Sequence, residues 1–212
     1  MSMAYRITVA IVLALVAAAT LFGTDFFRKN PFGPSLETQL MARINEAASQ
    51  GGLVATFGEP YTKGWQLPKG HRLERFSLND GEAVFSRLTS SVPRTNDLPT
   101  WPDRGLSFSF PIDFATRTKG QWLEIGIVAR RSPQNSSETL NVVYSTQQAG
   151  NSGWQNLALG ENFELKTFPY QVPDVPEGYS HQPIIVLHSD TEGRGRSVEI
   201  LGVYVKFLPR GQ

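Results

Sequence analysis

Apolar and polar residues alternate with a period of two along most of the distal half of this chain. In Leu106–Ile112, residues Leu106, Phe108, Phe110 and Ile112 fall on one face and Ser107, Ser109 and Pro111 on the other. That is the pattern of a half-buried strand, with Pro111 suited to an edge or an end. Gln121–Arg131 repeats it, with Leu123, Ile125, Ile127 and Ala129 opposite Trp122, Glu124, Gly126, Val128 and Arg130. Thr139–Thr146 sets Leu140, Val142 and Tyr144 against Asn141, Val143 and Ser145. Phe163–Val172 alternates but slips phase near Thr167 and Phe168, which predicts a bulge or bend there. Pro183–Ser189 is short and almost wholly apolar, as a strand buried on both faces would be. In Ser197–Leu208, Val198 and Ile200 alternate before Gly202 resets the phase to Val203, Val205 and Phe207. Turn-forming residues separate these runs at 118–120, 132–137, 149–153, 173–179 and 190–195. Upstream, Arg72–Leu78 and Ala83–Thr89 flank Asn79, Asp80 and Gly81 as a hairpin would. Ser90–Arg104, with Trp101, reads as a long loop over one edge or face. Many strands at this spacing with no helical period between them predict an all-β fold, an antiparallel jelly-roll sandwich.

Two other patterns precede the strands. Ile7–Gly23 is seventeen residues without a charge, roughly 25 Å as a helix and near the lower limit for crossing a bilayer. It fits a signal peptide, with Ala17–Ala19 at the cleavage position, or an uncleaved anchor closed by Phe26, Phe27, Arg28 and Lys29. The aromatic and basic closing residues favour the transmembrane anchor. Leu36, Leu40, Met41, Ile44 and Ala48 then recur at helical spacing from Ser35 to the stop at Gly51 and Gly52. This predicts a short amphipathic helix whose apolar stripe packs on the sandwich or meets a neighbouring membrane subunit. Leu53–Lys69 reads as an irregular connector. The expected organisation is an anchor or signal peptide over 1–29, a juxtamembrane helix and connector over 30–69, and the sandwich over 70–212.

Composition narrows the function. The chain of 212 residues has no cysteine, so neither disulfides nor thiol chemistry enter. Its net charge of +1 argues against a nucleic-acid partner. Nineteen glycines and fourteen prolines suit a loop-rich β protein. His71, His181 and His188 lack further ligands at metal-binding spacing, so no metal or cofactor is expected. There is no Gly-x-Ser-x-Gly, phosphate loop or dinucleotide fingerprint. Glu124, Glu164, Asp190 and Glu199 are the carboxylates from which a glycosidase pair would have to come. No base, nucleophile and orienting group can be named together, so the chain reads as non-catalytic.

The stretch Gln121-Trp-Leu-Glu-Ile-Gly-Ile-Val-Ala-Arg-Arg131 resembles a strand of carbohydrate-binding modules of the galactose-binding-like jelly-roll group. Leu140–Tyr144, Trp154 with Phe163–Phe168 and Val172-Pro173, Ile184–His188 and Val198–Val205 continue the order of strands in those modules. The resemblance spans residues 70–208 and lies in pattern. It implies a jelly roll and a sugar-binding role. In many such modules the last strand carries aspartates, one of which helps bind a structural calcium. Leu201 and Gly202 stand at those places here, so the implied calcium site is not expected.

A sugar site needs an aromatic platform and a few fixed hydrogen-bonding groups. Trp122, Glu124 and Arg130 share one strand face and form the candidate set, with Trp101, Trp154 and Tyr179 as candidate rim residues in loop-like segments. In the competing reading Trp122 packs beneath the 90–104 loop and Arg130 pairs with Glu124. The expected function is a non-catalytic, membrane-anchored carbohydrate-binding module in envelope or exopolysaccharide biogenesis. Its place would be the bacterial inner membrane, single-pass, with the C-terminal domain in the periplasm. The partners would be the lipid bilayer and a polysaccharide. The alternative is a structural accessory subunit that docks on membrane-complex subunits. The small residues Ala10, Ala14, Ala17 and Ala18 on one face of the anchor would favour that helix packing. A cleaved, soluble periplasmic protein is a third possibility.

Overall fold

Alternation becomes two antiparallel sheets in a computed structural model that describes residues 35–58, 60–61, 64–78, 83–95, 104–147, 150–174 and 182–209. The strands are β1 (Leu53–Thr56), β2 (Trp65–Gln66), β3 (His71–Leu78), β4 (Ala83–Ser90), β5 (Leu106–Ser109), β6 (Trp122–Arg131), β7 (Thr139–Ser145), β8 (Gln155–Ala158), β9 (Glu164–Gln171), β10 (Ile184–His188) and β11 (Ser197–Phe207). The helices are α1 (Leu36–Ser49) and α2 (Ile112–Thr118). One sheet runs β3-β4-β11-β6-β9, with β1 also on β11, and the other runs β2-β5-β10-β7-β8. The inward residues of both sheets meet in one core, including Leu88, Leu106, Phe108, Leu123, Ile125, Leu140, Tyr144, Ile185, Leu187 and Val203.

Strand β11 is the spine of the first sheet. It pairs with β6 along its length, while β4 takes Ser197–Ile200 on its other edge and β1 takes Gly202–Val205. The register with β6 shifts between Ile200 and Gly202. Leu201 is the extra residue of a bulge, so the phase reset read at Gly202 is a real register change. The apolar strand β10 sits between β5 and β7 with every residue buried.

Helix α1 lies on the outer face of the first sheet. Leu40, Ile44 and Ala47 pack with Val54, Phe85, Val128, Phe163, Leu201 and Tyr204. The stripe thus packs on the sandwich, and the helix ends at Gly51, whose φ of +78° suits glycine.

Three expectations need correction, and one strand went unread. Leu53–Lys69 is not an irregular connector, because β1 and β2 are strands of the two sheets. Trp65 stacks on Phe57 and donates from Nε1 to the Thr56 carbonyl at 2.8 Å, tying the segment to the core. Strand β5 stops at Ser109, and Pro111 precedes helix α2, which turns Phe114 inward. Alternating residues masked this helix, since seven residues are too few to display a 3.6 period. Strand β8 was missed because its four residues form a short edge beside β7. Finally, β9 has no bulge at Thr167 and Phe168: it pairs without a break from Glu164 to Gln171. Its phase slips because Phe163 and Leu165 pack outward with α1 while Phe168 and Tyr170 pack inward.

The Ile7–Gly23 anchor, the Asn79–Gly81 turn, Trp101, Tyr179 and His181 lie outside the described residues. No helix among the described residues is long and apolar enough to cross a membrane.

Candidate functional site

Strand β6 carries the nominated residues on its outer face, where α1 divides them. Trp122 and Arg130 are eight residues apart, about 26 Å along a strand. Between them Val128 is covered by α1 and its neighbours. The trio therefore does not converge on one ring: Trp122 and Glu124 share one end and Arg130 stands at the other.

The Trp122 end holds a polar cleft of about 380 Å³ lined by Arg43, Glu46, Gln50, Glu124, Thr167, Tyr204 and Lys206, with Ala47 and Leu165 as its apolar wall. Helical spacing puts Arg43, Glu46, Ala47 and Gln50 on one face of the α1 C-terminal end. Gln50 Nε2 donates to Glu46 Oε1 at 3.1 Å. Across the cleft, Glu124 Oε1 accepts from the Tyr204 hydroxyl at 2.7 Å and pairs with Lys206 Nζ at 3.2 Å. Burial, reinforced by the Glu124 carboxylate, raises the Tyr204 phenol pKa, so the hydroxyl stays a donor. Gly126 makes this contact possible, because a Cβ there would stand 2.2 Å from the Tyr204 ring. Trp122 lies two residues beyond Glu124 at the strand end and is 47% exposed. It is not packed away as a core residue would be. The cleft thus offers two cations, two carboxylates, an amide and hydroxyls beside an accessible indole.

Arg130 does not pair with Glu124. Its Nε donates to Glu199 Oε2 at 2.7 Å, and Arg87 grips Oε1 of the same carboxylate at 2.7 Å through Nη2. Glu199 is 1% exposed, and the Arg130 guanidinium lies 4.3 Å from the centre of the Phe163 ring. Trp154 is half-buried on the outer face of the second sheet, against Val143, Ile184 and Val186, with the Arg94 guanidinium over its ring. It stands apart from both ends of β6.

The other polar groups read from sequence serve the fold. Asp190 accepts from the backbone amides of Glu192 and Arg196. Glu164 pairs with Lys166. His71 and His188 meet edge to face at 5.0 Å, bridging β3 and β10 across the two sheets. No group of three or more His, Cys, Asp or Glu able to hold a metal occurs among the described residues.

The helix contribution escaped sequence reasoning. Nothing local in the sequence marks Arg43, Glu46 and Gln50 as site residues, and only the packing of α1 brings them opposite Glu124. Glycine within the β6 pattern was the one available signal of close approach.

The fold has solved counterparts. The chain is similar to the CBM22-1 xylan-binding domain from Paenibacillus barcinonensis Xyn10C, with a TM-score of 0.50 and 12% identity over 75% of this chain and 95% of that one. It also matches the CBM22-1–CBM22-2 tandem domain of the same protein, with a TM-score of 0.51 and 12% identity over 76% of this chain and 45% of that one. These likenesses are of fold: the chain shares the two-sheet antiparallel β-sandwich of those domains. No protein-family profile and no curated protein sequence matches the chain.

Proposed function

We propose that this chain is a non-catalytic polysaccharide-binding module, held at the bacterial inner membrane by Ile7–Gly23 with the sandwich in the periplasm. The observation that carries the proposal is the exposed Trp122 indole two residues along β6 from Glu124, which lines a cleft where Arg43 and Lys206 balance Glu46 and Glu124. A pyranose has an apolar C–H face and a rim of hydroxyls. The indole takes the first and the cleft's donors and acceptors take the second. Similarity in fold to a xylan-binding domain supports the same class of ligand. A role in envelope or exopolysaccharide biogenesis follows from pairing such a module with an anchor.

The test is retention of the full-length chain on neutral polysaccharides. Trp122→Ala is expected to weaken retention about tenfold or more, the scale of losing a well-placed aromatic contact. Its far-ultraviolet circular dichroism and melting temperature should stay those of the parent. Unchanged retention would overturn the reading, and loss of the folded signal would show Trp122 to be structural.

A second reading, the accessory subunit, is favoured by Leu36. It is 48% exposed at the first position of α1, seven residues after the anchor expected over 1–29. Stoichiometric membrane proteins co-purifying with the native chain would support it.

A further inference from the structure

The far end of β6 holds a second cleft that the Trp122 site does not use. It measures about 510 Å³, within the range of small-ligand sites, and is lined by Arg130, Arg131, Ser132, Pro133, Ser136 and Glu161. Arg130 and Arg131 leave a strand on opposite faces, but β6 ends here and both reach the same space.

Each guanidinium is fixed through one edge. Arg130 Nε is held by the buried Glu199 carboxylate, and its plane is packed by Phe163. Arg131 Nε donates to the Leu159 carbonyl at 2.7 Å. The terminal nitrogens of both make no hydrogen bond to another described residue. Two pre-positioned guanidinium forks beside serine hydroxyls match the geometry of a carboxylate, which accepts two parallel N–H bonds. Glu199 is already gripped by Arg87 from the other side, so it anchors Arg130 without claiming its terminal nitrogens.

We propose that the Arg130–Arg131 cleft binds the carboxylate of an acidic sugar unit, giving the module a preference for uronic-acid-bearing polysaccharide. The inference rests on the glycan-binding reading for its ligand class and on its own residues for its site. Glu161 is exposed at the rim and opposes an incoming carboxylate, so its charge limits affinity.

The experiment is calorimetric titration of the full-length chain with a galacturonic acid hexamer and with its carboxyl-reduced counterpart. The acidic hexamer binds, and binding weakens as sodium chloride rises from about 0.05 to 0.5 M. Carboxyl reduction and Arg131→Gln each weaken it about tenfold, the scale of one charge-assisted hydrogen bond. Gln at position 131 retains a donor for Leu159. Glu161→Gln has the opposite sign and tightens binding several-fold, which no unfolding variant would mimic. The Arg131→Gln and Glu161→Gln effects are measured in the parent and again in the Trp122→Ala background, so the two sites fail or stand separately. The proposal is overturned if the acidic hexamer does not bind, if the reduced hexamer binds equally well, or if Arg131→Gln and Glu161→Gln both leave affinity unchanged.

Discussion

Gly126 lets the Tyr204 ring lie across β6, and through that ring it sets the Glu124 carboxylate. Gly126→Ala should cost about 1–3 kcal/mol, the usual penalty for forcing atoms into a packed site. In a Tyr204→Ala background the same change should cost far less, which a double-mutant thermal denaturation cycle would read as coupling. His188 gives a second residue-level expectation. Burial, then the nearby His71 and Arg94, lower its pKa from 6.5 to about 4, with Asp190 opposing. His71 is lowered by burial in the same direction. Between pH 6.5 and about 4 the unfolded chain binds a proton at His188 that the folded chain refuses. Stability is therefore complete above pH 6.5 and falls as pH drops toward 4, by about 3 kcal/mol for this group. Denaturant titrations across that range should give this slope, and His188→Gln should flatten it.

Elements differ in how far the sequence discloses them. The hairpin β3–β4, the strands β6, β7 and β10, and the phase reset in β11 were legible, because each buries one or both faces in a regular period. Helix α1 was legible for the same reason, through Leu40 and Ile44. What stayed hidden depends on partners distant in sequence. Strands β1 and β2 are short, and their apolar residues gain meaning when β11 and β5 come alongside. The slip in β9 looked like a bulge because nothing local reveals that α1 covers the outer face. The site divides in the same way: Trp122 and Glu124 could be nominated from one strand, whereas Arg43, Glu46 and Gln50 could not. The packing of α1 makes its own prediction. Ile44 is fully buried against Gly202 and its neighbours, so Ile44→Ala should cost about 3 kcal/mol in chemical denaturation. Leu36→Ala, at an exposed position, should cost little.

At the scale of the molecule, one outer sheet face is divided by a helix into two chemically distinct ends. One has an exposed indole and a charge-balanced cleft, the proposed site for neutral sugar rings. The other has two oriented guanidinium groups, the proposed site for acidic ones. The similarity in fold to a xylan-binding domain concerns the scaffold, while these side chains belong to this chain. The most direct test of the central claim is neutral polysaccharide retention by the full-length chain and its Trp122→Ala variant, measured side by side by affinity electrophoresis. The account predicts retardation of the parent and its loss in a variant that melts at the parent's temperature. A parent that no neutral polysaccharide retards, or a variant retarded equally, would contradict it.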